Sequence, residues 1–148
     1  MTITIRPLAP ADRPAWEDLY AGYAAFYQVT QTPDMRARTF DWLMDEGHDS
    51  NALVAEDADG MLIGLAHYRP YPSPLSACVN GFLDDLFVTP ASRGSGAADA
   101  LIEALAAIGR DRGWQKIRWM TADNNYRGRG VYDKHATRTM WLTYELLP

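Results

Sequence analysis

The stretch from Leu86 to Ala98 most constrains what this chain can fold into. An apolar run, Leu86-Phe87-Val88, meets Thr89-Pro90, then Arg93-Gly94-Ser95-Gly96, and an Ala/Leu-rich segment follows. A β-type run that stops at a proline and re-enters as a helix through two glycines predicts a strand, a tight turn and a helix in that order. The first turn of such a helix carries backbone N–H groups without internal acceptors. The helix dipole adds positive potential at the same end. The segment is therefore a candidate phosphate cradle. Glycines that only relieve a tight turn are the plainer reading, and the ordered context of strand, proline, arginine and helix weighs against it.

Three phosphate ligands are open to such a loop. A triphosphate loop needs a Lys after its last glycine, where this chain has Ala97. A dinucleotide fingerprint needs a small residue where Asp99 stands, and a place in an early βαβ unit. The third pattern is Arg-x-x-Gly-x-Ala, formed by Arg93, Gly96 and Ala98. It resembles the acetyl-CoA pyrophosphate loop of the GNAT superfamily of N-acetyltransferases. A second block carries the same resemblance: Asn125, Gly128 and Tyr132 hold the family's Asn, small-residue and Tyr positions after the fifth strand. Gly128 replaces the usual Ala there, at a helix-propensity cost of roughly 1 kcal/mol. Ala136 to Trp141 replaces the usual Gly-Phe pair, which resembles the branch related to histone and polyamine acetyltransferases.

The resemblance implies an α/β (α+β) fold over residues 1–148 as a single domain. It implies a mixed, strongly twisted sheet of six or seven strands, about four helices on both faces, and two central parallel strands that splay apart. It implies acetyl-CoA as cosubstrate, held by the backbone of Phe87 and Val88, by the loop Arg93, Gly94, Ser95, Gly96, Ala97 and Ala98, and by Asn125. Arg127 and Arg129 are further candidates for the 3′-phosphate. Tyr132 takes the general-acid position, and a phenol suits protonation of a departing thiolate. Direct attack by an amine in a ternary complex needs no enzyme nucleophile, so the absence of a Ser or Cys nucleophile signature is expected.

The base is open between several residues. Asp84 and Asp85 lie on the strand entering the cradle, and successive strand residues point to opposite faces, so one of them is expected to face the acceptor. His67, on the preceding strand, is a candidate base or substrate contact. Tyr20, Tyr23 and Tyr27 share one helix face at i, i+3 and i+7. By resemblance that helix borders the acceptor site, which makes Tyr23 and Tyr27 substrate-binding candidates. The expected acceptor is a small primary amine, a polyamine or an amino-acid-like molecule. A competing reading is a non-catalytic acyl-CoA sensor, and a weaker one is a dinucleotide-binding protein.

Nineteen acidic and fourteen basic side chains give a net charge of −5. That argues against a nucleic-acid surface, which would need a basic stripe. One cysteine, Cys78, excludes an internal disulfide and fits a reducing cytoplasm. No apolar stretch reads as a leader or membrane span. No His, Cys or carboxylate cluster has metal-site spacing.

Periodicity and turn residues predict the order β-α-α-β-β-β-α-β-α-β. The elements fall at residues 2–6, a helix beginning at 10–12, 34–46, 52–56, 61–69, 78–88, 97–112, 116–121, 126–134 and 141–146. Asp57 to Gly60 is an expected hairpin turn. Pro70, Pro72 and Pro74 read as a rigid loop. The aromatic last strand, with Trp141 and Tyr144, is expected at a homodimer interface.

Overall fold

The computed structural model describes residues 2–148. Five strands form one sheet in the order β1 (Thr4–Pro7), β2 (Asn51–Glu56), β3 (Leu62–Ser73), β4 (Cys78–Val88) and β5 (Ile117–Arg118). The first three pairings are antiparallel and the β4–β5 pairing is parallel. The helices are α1 (Arg13–Phe26), α2 (Pro33–Met44), α3 (Ala97–Arg112) and α4 (Tyr126–His135).

Two cores lie on the two faces of the sheet. Trp16, Leu19 and Phe40 of α1 and α2 pack on Val54, Leu65 and Phe87. Ala97, Leu101 and Leu105 of α3 pack on Ala55, Ile63 and Leu83. β2 is buried along its middle four residues because helices cover both faces there.

β3 runs four residues beyond Arg69, through the prolines expected as a loop. Beyond Tyr68 it has β4 on one edge and no strand on the other. Pro70 and Pro72 have the same strand parity, so their missing N–H groups face the open edge and break no ladder bond.

β4 carries a bulge. His67 pairs with Asp85 while Tyr68 pairs with Leu83, so Asp84 is the extra residue. The bulge changes the alternation of faces. Leu83, Leu86 and Val88 pack on the α3 side, whereas Phe87 packs on the α1 side. Asp84 and Asp85 both turn toward the α1 side: His67 and Arg69, two residues apart on one face of β3, contact Asp85 and Asp84 respectively, and His67 also meets Trp16 of α1. The expectation that only one would face it is thereby corrected.

β5 is shorter than expected. Only Gly81↔Ile117 and Phe82↔Arg118 pair with β4, and the strands then part. The sheet has five strands rather than six or seven, because residues 141–146 form no strand in it. The vertex of the splay is held by Gly81 N–H donating to Lys116 C=O at 3.0 Å and Lys116 N–H donating to the Asn80 side-chain oxygen at 3.3 Å. Trp114 lies flush against Gly81, where a Cβ would overlap the indole. Gly81→Ala is expected to destabilise the protein by about 1–3 kcal/mol through overpacking; urea denaturation of the variant measures it.

Candidate active site

The parting of β4 from β5 leaves the β4 edge from Leu83 to Val88 without a strand partner. A cleft of about 480 Å³ lies there, in the range of small-molecule sites. It is walled by Phe87 and Val88, by the loop from Arg93 to Ala98, and by Asn125 and Tyr132 of the α4 region. Residues expected for the cosubstrate thus converge from three separate segments. Ser95 is the exception: it is not in the wall, and its hydroxyl accepts the Ala97 N–H at 3.3 Å.

The loop has the geometry of a cradle. Gly94 and Gly96 have φ of +79° and +89°, a region that favours glycine, and open space surrounds both Cα atoms. No side chain of the N-cap residue Gly96 caps α3; Ser95 Oγ takes the Ala97 N–H, and the N–H groups of Ala98 and Asp99 in the same first turn have no acceptor within the helix. The Arg93 guanidinium lies 4.3 Å from the Phe26 ring centroid, which holds it at the cleft mouth. Asp99, an anion near the cradle, is offset by Lys134 Nζ at 2.9 Å and His135 Nε2 at 2.7 Å from the same oxygen. The Asp99–His135 pair ties α4 to the start of α3. These donors, together with the free β4 edge, fit the pyrophosphate and the amide-bearing arm of acetyl-CoA.

Asn125 caps α4. Its Oδ1 accepts the Gly128 N–H at 3.3 Å, and its amide donates to Thr121 Oγ1 at 2.9 Å. A Cβ at residue 128 would crowd that amide. Glycine there makes room for the cap, which offsets its poor helix propensity with a contribution of about 1 kcal/mol. Arg127 reaches the same cleft, whereas Arg129 lines a different one.

Tyr132 is largely buried and meets Trp119 edge to face at 5.5 Å. Burial, with a smaller effect from Tyr27, pushes its phenol up to about 12. It holds its proton across the neutral range.

The acidic pair sits behind this cleft. Trp16 Nε1–H donates to His67 Nε2 at 2.9 Å. That assignment puts the His67 proton on Nδ1, which donates to Asp85 Oδ2 at 2.8 Å. The Tyr20 hydroxyl donates to the same oxygen at 2.8 Å. His67 is 4% exposed and both its nitrogens are engaged within the protein. The geometry therefore makes it an orienting member of a buried network, where the sequence suggested a base or substrate contact. Its spacing to Trp16 and Asp85 is long-range, so no local signal announced the network.

The two carboxyls are pushed apart. Burial raises Asp85, but the hydrogen bonds from His67 and Tyr20 outweigh it and hold the group below the ordinary range. Burial also raises Asp84, and the Asp85 charge adds to that. Arg69, at 3.1 Å, opposes the shift without cancelling it. From Asp85 a row of phenols leads back to the cleft. Tyr20 bonds Asp85, Tyr23 meets Phe87 edge to face at 5.6 Å, and Tyr27 lines the cleft beside Tyr132. Tyr27, the residue that ends α1, lies seven positions after Tyr20, about 10 Å along the axis.

The chain matches the model of the acetyltransferase (GNAT) family over residues 16–136. It is 27% identical to the D-amino-acid N-acetyltransferase HPA3 of Saccharomyces cerevisiae, covering 97% of this chain and 89% of that one. It is 31% identical to an aminoglycoside N(6′)-acetyltransferase type 1 of Stenotrophomonas maltophilia, covering 77% and 72%. A crystal structure of a ribosomal-protein-alanine N-acetyltransferase from Brucella melitensis biovar Abortus 2308 superposes with a TM-score of 0.84 at 28% identity, covering 99% of both chains. This chain belongs to the GNAT acetyltransferase family, and it is an acetyl-CoA-dependent N-acetyltransferase. Among the described residues no helix is long and apolar enough to cross a membrane, and no group of His, Cys, Asp and Glu is placed to hold a metal.

The depressed Asp85 has a consequence for stability. Its contribution is complete above the ordinary carboxylate range, near pH ~3.9, and is lost as pH falls below that. Asp85→Asn is expected to be about 1–3 kcal/mol less stable at neutral pH, because the buried donors of His67 and Tyr20 lose their charged acceptor. Its stability should also fall less steeply toward acid pH than that of the wild type, as measured by urea denaturation at a series of pH values.

Proposed function

We propose that residues 1–148 act as one catalytic domain that transfers an acetyl group from acetyl-CoA to the primary amine of a small molecule, a polyamine or an amino-acid-like compound, by direct attack in a ternary complex. One observation carries this reading: the protonated Tyr132 phenol stands in the same cleft wall as the Arg93–Ala98 cradle and the free edge of β4. Acetyl-CoA supplies an electrophilic thioester carbonyl and a thiolate leaving group. The cradle N–H groups and Arg93 hold its phosphates, and the backbone of Phe87 and Val88 aligns its arm. Tyr132 gives its proton to the leaving sulfur.

Asp84 takes the proton lost by the amine, directly or through a water. It is the more open of the two carboxylates, and its raised affinity for a proton suits a base. Asp85 stays ionised, fixes Tyr20 and His67, and adds negative potential that attracts a cationic acceptor. Tyr23 and Tyr27 line the acceptor path between the acidic pair and the cleft. The single cysteine and acidic composition support a cytoplasmic protein, and the exposed aromatic C-terminal segment supports a homodimer.

Calorimetric titration with acetyl-CoA, followed by turnover on a panel of polyamines and amino acids, tests the reading. Saturable binding and turnover on a panel member are expected. Turnover confined to peptide N-termini would overturn the acceptor assignment. Tyr132→Phe should keep its affinity for acetyl-CoA and lose about 100-fold in kcat; unchanged turnover would remove Tyr132 from the mechanism. Asp84→Asn should lose a similar factor in kcat/KM and with it the acidic limb of the pH profile. In the wild type that limb lies above the pH of an ordinary carboxylate, because activity needs Asp84 ionised.

A further inference from the structure

The bulge on β4 leaves a cation and an anion side by side, each with bonding capacity unused. Arg69 donates through Nε, to the two Asp84 oxygens at 3.1 and 3.3 Å. Among the described residues its terminal nitrogens, Nη1 and Nη2, make no hydrogen bond. They carry most of the guanidinium N–H groups, in a planar fork that matches a carboxylate. Asp84 likewise keeps lone pairs beyond those that Arg69 takes. The two side chains are 40% and 36% exposed, so a ligand can reach both.

The guanidinium rests on an aromatic platform. Its central carbon lies 4.8 Å from the ring centroid of Phe82, the residue opposite Arg69 in the β3–β4 register. Tyr71, two residues beyond Arg69 and on the same face of β3, meets Phe82 edge to face at 6.2 Å. A solvated surface ion pair contributes little and needs no such support. Here the fork is oriented independently of the carboxylate it touches.

The charges available to a ligand are one anion beside one cation. Asp85, the neighbouring carboxylate, is already held by His67 and Tyr20. Asp84 is the carboxylate open to an incoming ammonium, and Arg69 stands next to it. A polyamine has ammonium groups only, and seating one on Asp84 brings positive charge against the Arg69 guanidinium. An α-amino acid has an ammonium and a carboxylate on one carbon, with nitrogen and oxygen about 3 Å apart. That matches the 3.1 Å between Arg69 Nε and Asp84 Oδ2.

We propose that Arg69 and Asp84 together recognise the acceptor as an α-amino acid zwitterion. Nη1 and Nη2 of Arg69 take its carboxylate, and the remaining lone pairs of Asp84 take its ammonium. Arg69 is then a specificity-determining residue. Acetylation turns the ammonium into a neutral amide, so the product offers Asp84 no cation and is released. This deepens the proposed function, choosing the amino acid over the polyamine, and rests on it.

The test compares acceptors that differ in the carboxylate. Both enantiomers of leucine and of phenylalanine are assayed with acetyl-CoA against 3-methylbutylamine, phenethylamine, leucinamide and spermidine, all at one pH. The wild type should show a kcat/KM for an amino acid at least roughly 10-fold above that for its decarboxylated amine and, for leucine, above that for leucinamide. Arg69→Gln should lower this ratio by roughly 10- to 100-fold, chiefly through KM for the amino acid. Arg69→Lys should restore part of it, since it returns the charge without the fork. The ratio cancels any change in Asp84 ionisation that both acceptors share, and retained acetyl-CoA binding shows that a variant is folded. Wild-type turnover of the simple amines or spermidine at or above that of the amino acids would overturn the inference and leave small-amine acetylation standing. An unchanged ratio in folded Arg69→Gln would do the same. Turnover of none of these acceptors would overturn the small-amine reading and this inference with it.

Discussion

β4 and β5 share only two paired positions, Gly81 with Ile117 and Phe82 with Arg118, before they separate. Backbone N–H and C=O groups in a protein interior need partners, and an unfilled strand edge beside a helix N-terminus presents a row of them. The cleft exists because that row is not closed by a neighbouring strand. Asn80, Gly81, Trp114 and Lys116 hold the vertex from which the strands diverge. Closing the splay would bury the β4 edge in the sheet and remove the place where an extended thioester arm can lie. Everything that surrounds the cleft is arranged around this opening, from the glycine loop to the Tyr132 helix.

On the opposite face, a single extra residue determines the chemistry. The bulge at Asp84 turns two consecutive carboxylates to one side of the sheet. Two adjacent anions in a half-buried place would be costly without compensation. Asp85 is compensated by His67 and Tyr20, and Asp84 by Arg69. The compensation is unequal, and that inequality gives neighbouring, chemically identical side chains different proton affinities. The Trp16 indole completes the arrangement by occupying the other nitrogen of His67. A polar network with its members satisfied can sit between α1 and the sheet without a net penalty, and it holds the helix that carries the phenol row.

Much of this was legible in local sequence. The bounds of β4 and α3, the turn at Gly60, and the cradle glycines followed from apolar runs, proline and glycine, because each is set by the preferences of neighbouring residues. The family pattern brought Phe87, Val88, Arg93, Asn125 and Tyr132 together, and the cleft wall contains them all. Pairings distant along the chain were not legible. Trp16 with His67, Asp99 with His135 and Arg69 with Asp84 are 51, 36 and 15 residues apart, and nothing in a window of sequence marks them. The prolines of β3 misled for a related reason. A proline signals the end of a strand only if the neighbouring edge is occupied, and edge occupancy is a property of the assembled sheet.

By itself, the sequence determined which segments can be strands or helices, where a phosphate-binding turn can form, and that the segment around Trp141 is coded as a strand. Those are consequences of steric and hydrophobic periodicity, which act over a few residues. The tertiary structure decided the faces and the partners. It turned Asp84 to the same side as Asp85, committed both nitrogens of His67, neutralised Asp99, and left the strand-coded C-terminal segment without a place in its own sheet. Face, charge state and strand pairing depend on which surfaces meet, and that is settled only when distant parts of the chain pack together.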